Sequence, residues 1–287
     1  MDTNLFKKRL AFHPYLIMSH RGFWGGNIIE NSIQSSMLAY QAGADIVEVD
    51  VCKTIDDKYY LFHDGNEPNV LGHDKNFKEL TSEEVENAVV FNSIGSNSGA
   101  KIISLSEFLA WLPEDKLVNI DRSWDYWNDN QFFKEIRDSG KEKQLVFKSP
   151  VQLNYIELFI ENGNRLNYIP LIKSKEETEL VLSYEKLNCI GLELIIDNAN
   201  SELLDPIWLS KIKNRGILTL INAEHLGEGF TLLGGLTDHD AILNNNDWSQ
   251  IVELGCDIIQ TDWPNFLSEY RKRETGGLHG VSTNTDS

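Results

Sequence analysis

Two acidic residues, Glu48 and Asp50, alternate with valines in the apolar run Ile46-Val47-Glu48-Val49-Asp50-Val51. A short run rich in β-branched residues predicts a strand, and alternate side chains of a strand share one face. Both carboxylates therefore point the same way. Neighbouring carboxylates repel each other and are costly to remove from water unless a cation or protons intervene. The pattern predicts a divalent metal site, with pairing to a buried arginine or lysine as the alternative.

Two histidines stand at the ends of neighbouring strand-like runs. Leu16–Met18 leads into Ser19 and His20-Arg21, and Tyr59–Phe62 leads into His63. Histidine titrates near neutral pH, so a pair of histidines can donate and accept protons within one reaction. The structural alternative for each is a strand-end histidine satisfied by the backbone. The adjacent arginine and carboxylates favour the catalytic interpretation.

Strand-like runs alternate with helical segments from residue 15 to 273, and this order predicts one domain with a parallel sheet covered by helices. For 287 residues, closure into a (β/α)8 TIM barrel is favoured over an open doubly wound sheet, since no glycine-rich phosphate loop is present. Nine runs compete for eight strand positions. The run at 58–63 follows Asp50 too closely for a helical crossover, so we expect irregularity around strands 2 and 3.

The ends of the domain and of its helices carry their own signals. Residues 1–14 are expected to form an N-terminal arm, and the tail 274–287, which is poor in apolar residues, is expected to be disordered. Asn31 is the predicted N-cap of a helix with Gln34 at its third position. Thr81 to Glu84, Ser104 to Glu107 and Ser174 to Glu177 are predicted capping boxes.

Active sites of such barrels lie at the carboxyl ends of the strands. Polar residues stand at the predicted ends, and we expect them to form one site: His20, Glu48, Asp50, His63, Asp121, Lys148, Asn222 and Asp262. Asp262 stands just before Pro264, where it is expected to fix a turn or cap the last helix.

Charge excludes several functions. The net charge of −18 and pI near 4.8 argue against a nucleic-acid or anionic-membrane surface, because both require basic patches. We expect a small-molecule partner, no nucleic acid and no stable membrane insertion. Three cysteines, Cys52, Cys189 and Cys256, are far apart and lie in apolar runs, which indicates neither a disulfide framework nor a zinc site. These features favour the cytoplasm.

The motifs resemble, in order and spacing, those of the glycerophosphodiester phosphodiesterase family. The residues that carry the resemblance are His20-Arg21-Gly22, Glu30-Asn31-Ser32, Gly43 to Val51, Thr54 to Asp57 and Leu61 to Asp64, and more weakly Gly255 to Pro264. The resemblance implies a TIM barrel that uses one divalent cation, Mg²⁺ or Ca²⁺, to hydrolyse glycerophosphodiesters to glycerol 3-phosphate and an alcohol.

The resemblance also implies residue roles by position. His20 and His63 match the general acid and base. Arg21 matches the phosphate-holding arginine, and Glu30 and Asn31 belong to a motif with a binding role. The implied metal ligands are Glu48, Asp50 and Asp121, where the last replaces the glutamate that the family usually has.

One departure from the family concerns the phosphate contact. The family has a lysine two residues beyond the strand-4 carboxylate, and this chain has Ser123 there. Lys148 or Arg122 is expected to replace that contact.

A group of loop aromatics is expected at the same face of the barrel. They are Trp24, Trp124, Tyr126 and Trp127. Such a cluster more often packs than binds a ligand. The alternative is that it lines the alcohol pocket, with Trp124 as a binding residue, or stacks on a cationic head group such as choline.

Two alternative functions remain open at this point. A phospholipase D-like enzyme, or a sugar or polyol phosphodiesterase, would keep the metal and the histidines and change the substrate. A barrel that binds phosphoesters without turnover would account for the lost lysine. The sequence leaves open the alcohol moiety, the choice between Mg²⁺ and Ca²⁺, the nucleophile and the oligomeric state.

Overall fold

The structure is a computed structural model that describes residues 4–163, 165–226 and 231–277. Within these ranges the chain forms nine strands, β1 to β9: Leu16–Ser19, Ile46–Lys53, Tyr59–Leu61, Leu117–Asp121, Leu145–Pro150, Asn167–Ile172, Gly191–Leu194, Leu218–Asn222 and Ile258–Thr261. Twelve α-helices, α1 to α12, accompany them: Leu5–Leu10, Ile33–Ala42, Glu67–Val70, Ser82–Glu86, Leu105–Trp111, Asn130–Asp138, Leu153–Asn162, Lys175–Leu182, Pro206–Asn214, Asp238–Leu243, Ser249–Val252 and Pro264–Gly277.

Eight of the strands close into a parallel barrel. Their order is β1-β9-β8-β7-β6-β5-β4-β2, and β1 pairs with β2 to complete the ring. The predicted (β/α)8 TIM barrel is confirmed.

The ninth strand explains the irregularity expected around strands 2 and 3. β3 runs antiparallel to β2, with Val51 opposite Leu61 and Lys53 opposite Tyr59. It therefore extends β2 as a hairpin outside the ring. A tight turn replaces the helical crossover that parallel strands require, which is why nine strand candidates fit eight barrel positions.

The interior of the barrel changes from apolar to ionisable along its strands. The amino-terminal half is filled by buried apolar side chains, among them Leu16, Met18, Ile46, Leu117, Val146, Leu220 and Ile258. Two or four residues further along the same strands, the same face carries His20, Glu48, Asp50, Asn119, Lys148, Asn222 and Gln260. The interior face of each strand therefore begins with apolar residues, which form the packed floor of the barrel, and ends with polar residues, which form its mouth.

The predicted N-terminal arm contains a helix that packs against the bottom of the barrel. Phe6, on α1, is fully buried in the apolar cluster of the barrel floor, and Leu5 and Leu10 pack beside it. Asn4 caps this helix through its side chain, which accepts hydrogen bonds from the backbone N–H groups of Phe6 and Lys7. Residues before β1 therefore belong to the core.

The N-cap prediction for α2 is wrong by one residue. Ser32 caps the helix, and Ser32 and Ser35 exchange side-chain to backbone hydrogen bonds of 3.0 and 3.2 Å. Asn31 instead adopts a left-handed conformation with φ 51°, which asparagine tolerates better than most residues. The capping boxes at Thr81 and Ser104 are confirmed.

The end of the chain differs in part from the expected tail. Helix α12 continues through Glu274 to Gly277, and residues 278–287 lie outside the described part. Among the described helices, none is long and apolar enough to cross a bilayer.

We predict that Phe6→Ala lowers the free energy of unfolding by about 3–5 kcal/mol, because it opens a cavity in the barrel floor. The measurement is urea denaturation followed by circular dichroism. Phe12→Ala is the matched control: Phe12 is 81% exposed, so a change within about 0.5 kcal/mol is expected. Equal stability of Phe6→Ala and wild type would show that α1 contributes nothing to the core.

Candidate active site

Three carboxylates meet at the carboxyl end of the barrel. One oxygen from each of Glu48, Asp50 and Asp121 lies within 4.8 Å of the others. The strand register causes this convergence, because β2 and β4 are neighbours and Asp50 stands opposite Asp121. Glu48 and Asp50 are buried, and Asp121 is partly exposed.

Arg21 and Asn31 oppose the charge of this carboxylate cluster. The backbone N–H of Arg21 donates to Glu48 Oε2 at 2.8 Å, and its Nε lies 3.3 Å from Asp50 Oδ2. Asn31 Nδ2 donates to the same Asp50 oxygen at 3.0 Å. Left-handed backbone at Arg21, φ 54°, directs its N–H into the site. Gly22 follows with φ 78°, and a Cβ there would lie 2.5 Å from Ser35 Oγ, so only glycine fits.

The two buried carboxylates differ in their protonation. Burial raises the pKa of Glu48 to about 8, and the charge of Asp50 adds to this. Burial alone would also raise the pKa of Asp50, but Arg21 and His63 hold it below its ordinary value. The positive charges of the protein alone therefore do not fully offset the charge of an ionised Glu48.

The cluster fits a divalent cation. Among the described residues, neither Oε1 of Glu48 nor Oδ1 of Asp50 receives a hydrogen bond, so each has an oxygen free to coordinate. Carboxylate oxygens are the ligands that hard cations such as Mg²⁺ and Ca²⁺ prefer. A cation would also favour the charged form of Glu48.

Lys148 lies below the cluster as an internal counter-charge. Its Nζ lies 2.8 Å from Asp121 Oδ2 and 2.9 Å from Glu193 Oε2, and only 1% of its side chain is exposed. Burial would lower the pKa of Lys148, but Asp121 and Glu193 raise it well above its ordinary value. Asn222 Nδ2 donates to Glu193 Oε1 at 2.7 Å. The sequence analysis missed Glu193, although its place at the end of a strand was a usable signal.

His20 forms a dyad with Asp262. His20 Nδ1 lies 2.9 Å from Asp262 Oδ1, and the backbone N–H of Asp262 donates to Asp238 Oδ2 at 3.0 Å. Burial would lower the pKa of His20, but the hydrogen bond and charge of Asp262, with Glu224 and Glu48, raise it to about 10. The sequence predicted a turn or cap role for Asp262 and did not identify His20 as its partner. Barrel closure, which pairs β1 with β9, brings these residues together.

His63 follows β3 and is half-buried, with the charges of Asp50 and Arg21 acting on it. Burial lowers its pKa, and the charge of Asp50 offsets this only in part. The pKa values of the two histidines are therefore shifted in opposite directions, upward at His20 and downward at His63.

Two further polar side chains extend the buried network. Gln260 Nε2 donates to Glu224 Oε1 at 2.8 Å. Burial raises the pKa of Glu224 to about 7. The sequence analysis missed both residues.

Glu30 supports the arginine from outside the cluster. Arg21 Nη1 donates to Glu30 Oε1 at 3.2 Å, and Asn66 Nδ2 donates to the same oxygen at 2.8 Å. Arg21 is thus shared between Glu30 and Asp50. Its guanidinium lies among carboxylates at the mouth, where it can meet an anion.

The residues after β4 are arranged differently from the expected loop. Ser123 is fully buried, and its Oγ accepts a hydrogen bond of 3.2 Å from Trp127 Nε1. Arg122 turns to Asp64, with 2.9 Å between Nε and Oδ1. Trp127 is fully buried and Tyr126 nearly so, which fits the packing interpretation for these two rings.

The other two aromatics remain available to a ligand. Trp124 is partly buried, with its ring 6.4 Å from that of Tyr155. Trp24 is 39% exposed. A substrate role for Trp124 stays a prediction.

The sequence pattern that defines the glycerophosphoryl diester phosphodiesterase family matches residues 20–265 of this chain. The chain belongs to this family. It is therefore a phosphoric diester hydrolase, and the match includes every site residue described above. No curated protein matches the sequence.

Solved structures of family members share the fold. A glycerophosphoryl diester phosphodiesterase from Parabacteroides distasonis superposes with a TM-score of 0.73 at 19% identity, over 97% of this chain and 94% of that one. A glycerophosphodiester phosphodiesterase from Agrobacterium tumefaciens superposes with a TM-score of 0.65 at 17% identity, over 89% of this chain and 99% of that one. A phosphodiesterase from Oleispira antarctica was solved with its product sn-glycerol 3-phosphate. It superposes with a TM-score of 0.64 at 18% identity, over 92% of this chain and 98% of that one.

We predict that Asp262→Asn lowers kcat on the order of 10²- to 10⁴-fold, because the amide no longer fixes the tautomer and charge of His20. Steady-state kinetics on a glycerophosphodiester measures this, and KM should change far less than kcat. Asp115→Asn is the control, since Asp115 is exposed and precedes β4 at the other end of the barrel. Wild-type kcat in Asp262→Asn would remove Asp262 from the mechanism.

Proposed function

We propose that this protein hydrolyses water-soluble glycerophosphodiesters to glycerol 3-phosphate and an alcohol, with a divalent cation held by Glu48, Asp50 and Asp121. The observation that carries the proposal is the convergence of these three carboxylates within 4.8 Å. The product bound in the Oleispira antarctica phosphodiesterase, sn-glycerol 3-phosphate, supports the same substrate class.

Arg21 holds the phosphate in this proposal. Burial would lower the pKa of its guanidinium, but Asp50, Glu30 and Glu48 raise it, so the group stays charged. A guanidinium binds a phosphate through two parallel hydrogen bonds. A divalent cation, Mg²⁺ or Ca²⁺, supplies neutralisation of phosphate charge when it is bound.

His20 and His63 exchange protons with the two oxygens that change bonding. One histidine protonates the departing alkoxide and the other takes a proton from the attacking hydroxyl, each contributing about 10²- to 10⁴-fold. The pKa of His20 is raised and that of His63 is lowered, so the first ring is the better proton donor and the second is the better acceptor. Asp262 fixes the orientation of His20, and Lys148 forms an ion pair with Asp121.

We also propose a cytoplasmic location. Cys52, Cys189 and Cys256 are free cysteines, and Cys52 and Cys256 are buried. Unpaired buried thiols suit a reducing compartment.

Metal affinity is expected to depend on the two β2 carboxylates. Glu48→Gln and Asp50→Asn keep the side-chain shape and remove a charged ligand, so each should weaken Mg²⁺ or Ca²⁺ binding at least tenfold in isothermal titration calorimetry. Glu84→Gln is the control, because Glu84 is an exposed N-terminal helix residue. Unchanged affinity in both site variants would place the cation elsewhere.

The two-histidine mechanism is tested by turnover. His20→Ala and His63→Ala should keep the fold and metal affinity and lose release of glycerol 3-phosphate from glycerophosphocholine by about 10²- to 10⁴-fold each. His73→Ala, at an exposed position, is the control. Wild-type rates in His63→Ala would contradict the mechanism. Turnover of micellar lysophospholipids, with none of glycerophosphocholine, would favour the phospholipase D-like alternative.

A further inference from the structure

A cleft of about 480 Å³ opens beside the active site. We call it the side cleft. It lies between the loop after β1 and the segment that follows His63. Its lining includes Trp24, Glu30, Asn66, Asn69, Phe91 and Ser93. Of these residues, only Glu30 and Asn66 contact the active-site residues described above.

The side cleft shares its inner wall with the phosphate site. Glu30, which lines the cleft, accepts hydrogen bonds from both Arg21 Nη1 and Asn66 Nδ2. The backbone N–H of Asn66 donates to the carbonyl of His63 at 3.1 Å. A phosphodiester bound by Arg21 would therefore have one of its two alcohol substituents beside the opening of the cleft.

Hydrogen bonds between the two walls keep the side cleft open. Asn92 Nδ2 donates to Asn27 Oδ1 at 3.0 Å, and Asn27 Nδ2 donates to the carbonyl of Ser98 at 3.1 Å. Ser93 Oγ donates to the carbonyl of Gly26 at 3.2 Å. The loop that carries Trp24 is thus fastened across the cavity. A preformed site loses less entropy on binding than one that must be ordered.

The lining has the chemistry of a cation site. Glu30 is its acidic residue, and no lysine, arginine or histidine is among the described residues that line it. Glu30 is 8% exposed and shares its single arginine with Asp50. Trp24 is 39% exposed, and Phe91 provides a second ring. Aromatic faces and a carboxylate together attract an ammonium group, whereas an anionic group would meet no counter-charge.

We propose that the side cleft binds the alcohol substituent of the substrate and selects an ammonium alcohol, of the kind found in choline and ethanolamine. This rests on the proposed function, because the cleft acts on the same phosphodiester. The cleft would then set which glycerophosphodiester is the preferred substrate.

The first test compares glycerophosphocholine with glycerophosphoglycerol, whose second alcohol is neutral. We expect Trp24→Ala to lower the ratio of kcat/KM for the two substrates about tenfold, because the aromatic face is lost. Trp24→Phe keeps a face and should hold the ratio within about threefold of wild type. A ratio unchanged in Trp24→Ala would overturn the proposal.

The second test places opposite charges at one exposed rim position. Ser93→Lys and Ser93→Asp both remove the Ser93 hydroxyl and place opposite charges at the same exposed position. The ratio should fall in Ser93→Lys and rise in Ser93→Asp, by about fivefold between them, and the difference should shrink at 1 M salt. No difference between the pair would contradict the proposal.

The outcomes separate the two proposals. If the wild type hydrolyses both substrates and the ratio ignores all four variants, the side cleft is not the alcohol site and the proposed function stands. If the wild type hydrolyses neither substrate with Mg²⁺ or Ca²⁺ present, the proposed function fails and the cleft proposal falls with it.

Discussion

The site depends on holding several carboxylates close together in a poorly solvated barrel mouth. Glu48, Asp50 and Asp121 approach within 4.8 Å, although mutual repulsion and burial both disfavour three negative charges there. Two cations offset this repulsion. Arg21 acts from the mouth, and Lys148 acts from inside the barrel. The remaining deficit of positive charge, visible at Glu48, is what a divalent cation would fill.

The rest of the fold makes this arrangement rigid. A packed apolar floor closed by Phe6 supports the strands from below, so their polar ends are held by the barrel and not by flexible loops. Two positions with left-handed backbone, Arg21 and Asn31, then direct groups back onto Glu48 and Asp50. Helix α1 thus stabilises the strands that carry the carboxylates, and the loops at the mouth donate hydrogen bonds to the carboxylates themselves.

Sequence patterns predicted the features that depend on local chain order. The alternation in β2 identified Glu48 and Asp50, the alternating elements predicted the barrel, and the ends of the strand-like runs identified the histidines. The missed features depend on closure. Asp262 meets His20 only because the last strand pairs with the first, and Glu193 meets Lys148 across two strand positions. The burial of Phe6 was missed for the same reason, because the apolar cluster that it packs against is formed by residues from several strands of the closed barrel.

The most direct test of this account is the release of glycerol 3-phosphate from glycerophosphocholine by protein stripped of metal and checked by elemental analysis. The account predicts that release falls to background in the stripped protein and returns when Mg²⁺ or Ca²⁺ is added. Full release by metal-free protein would contradict it, because the carboxylate cluster would then have no cation to hold during turnover.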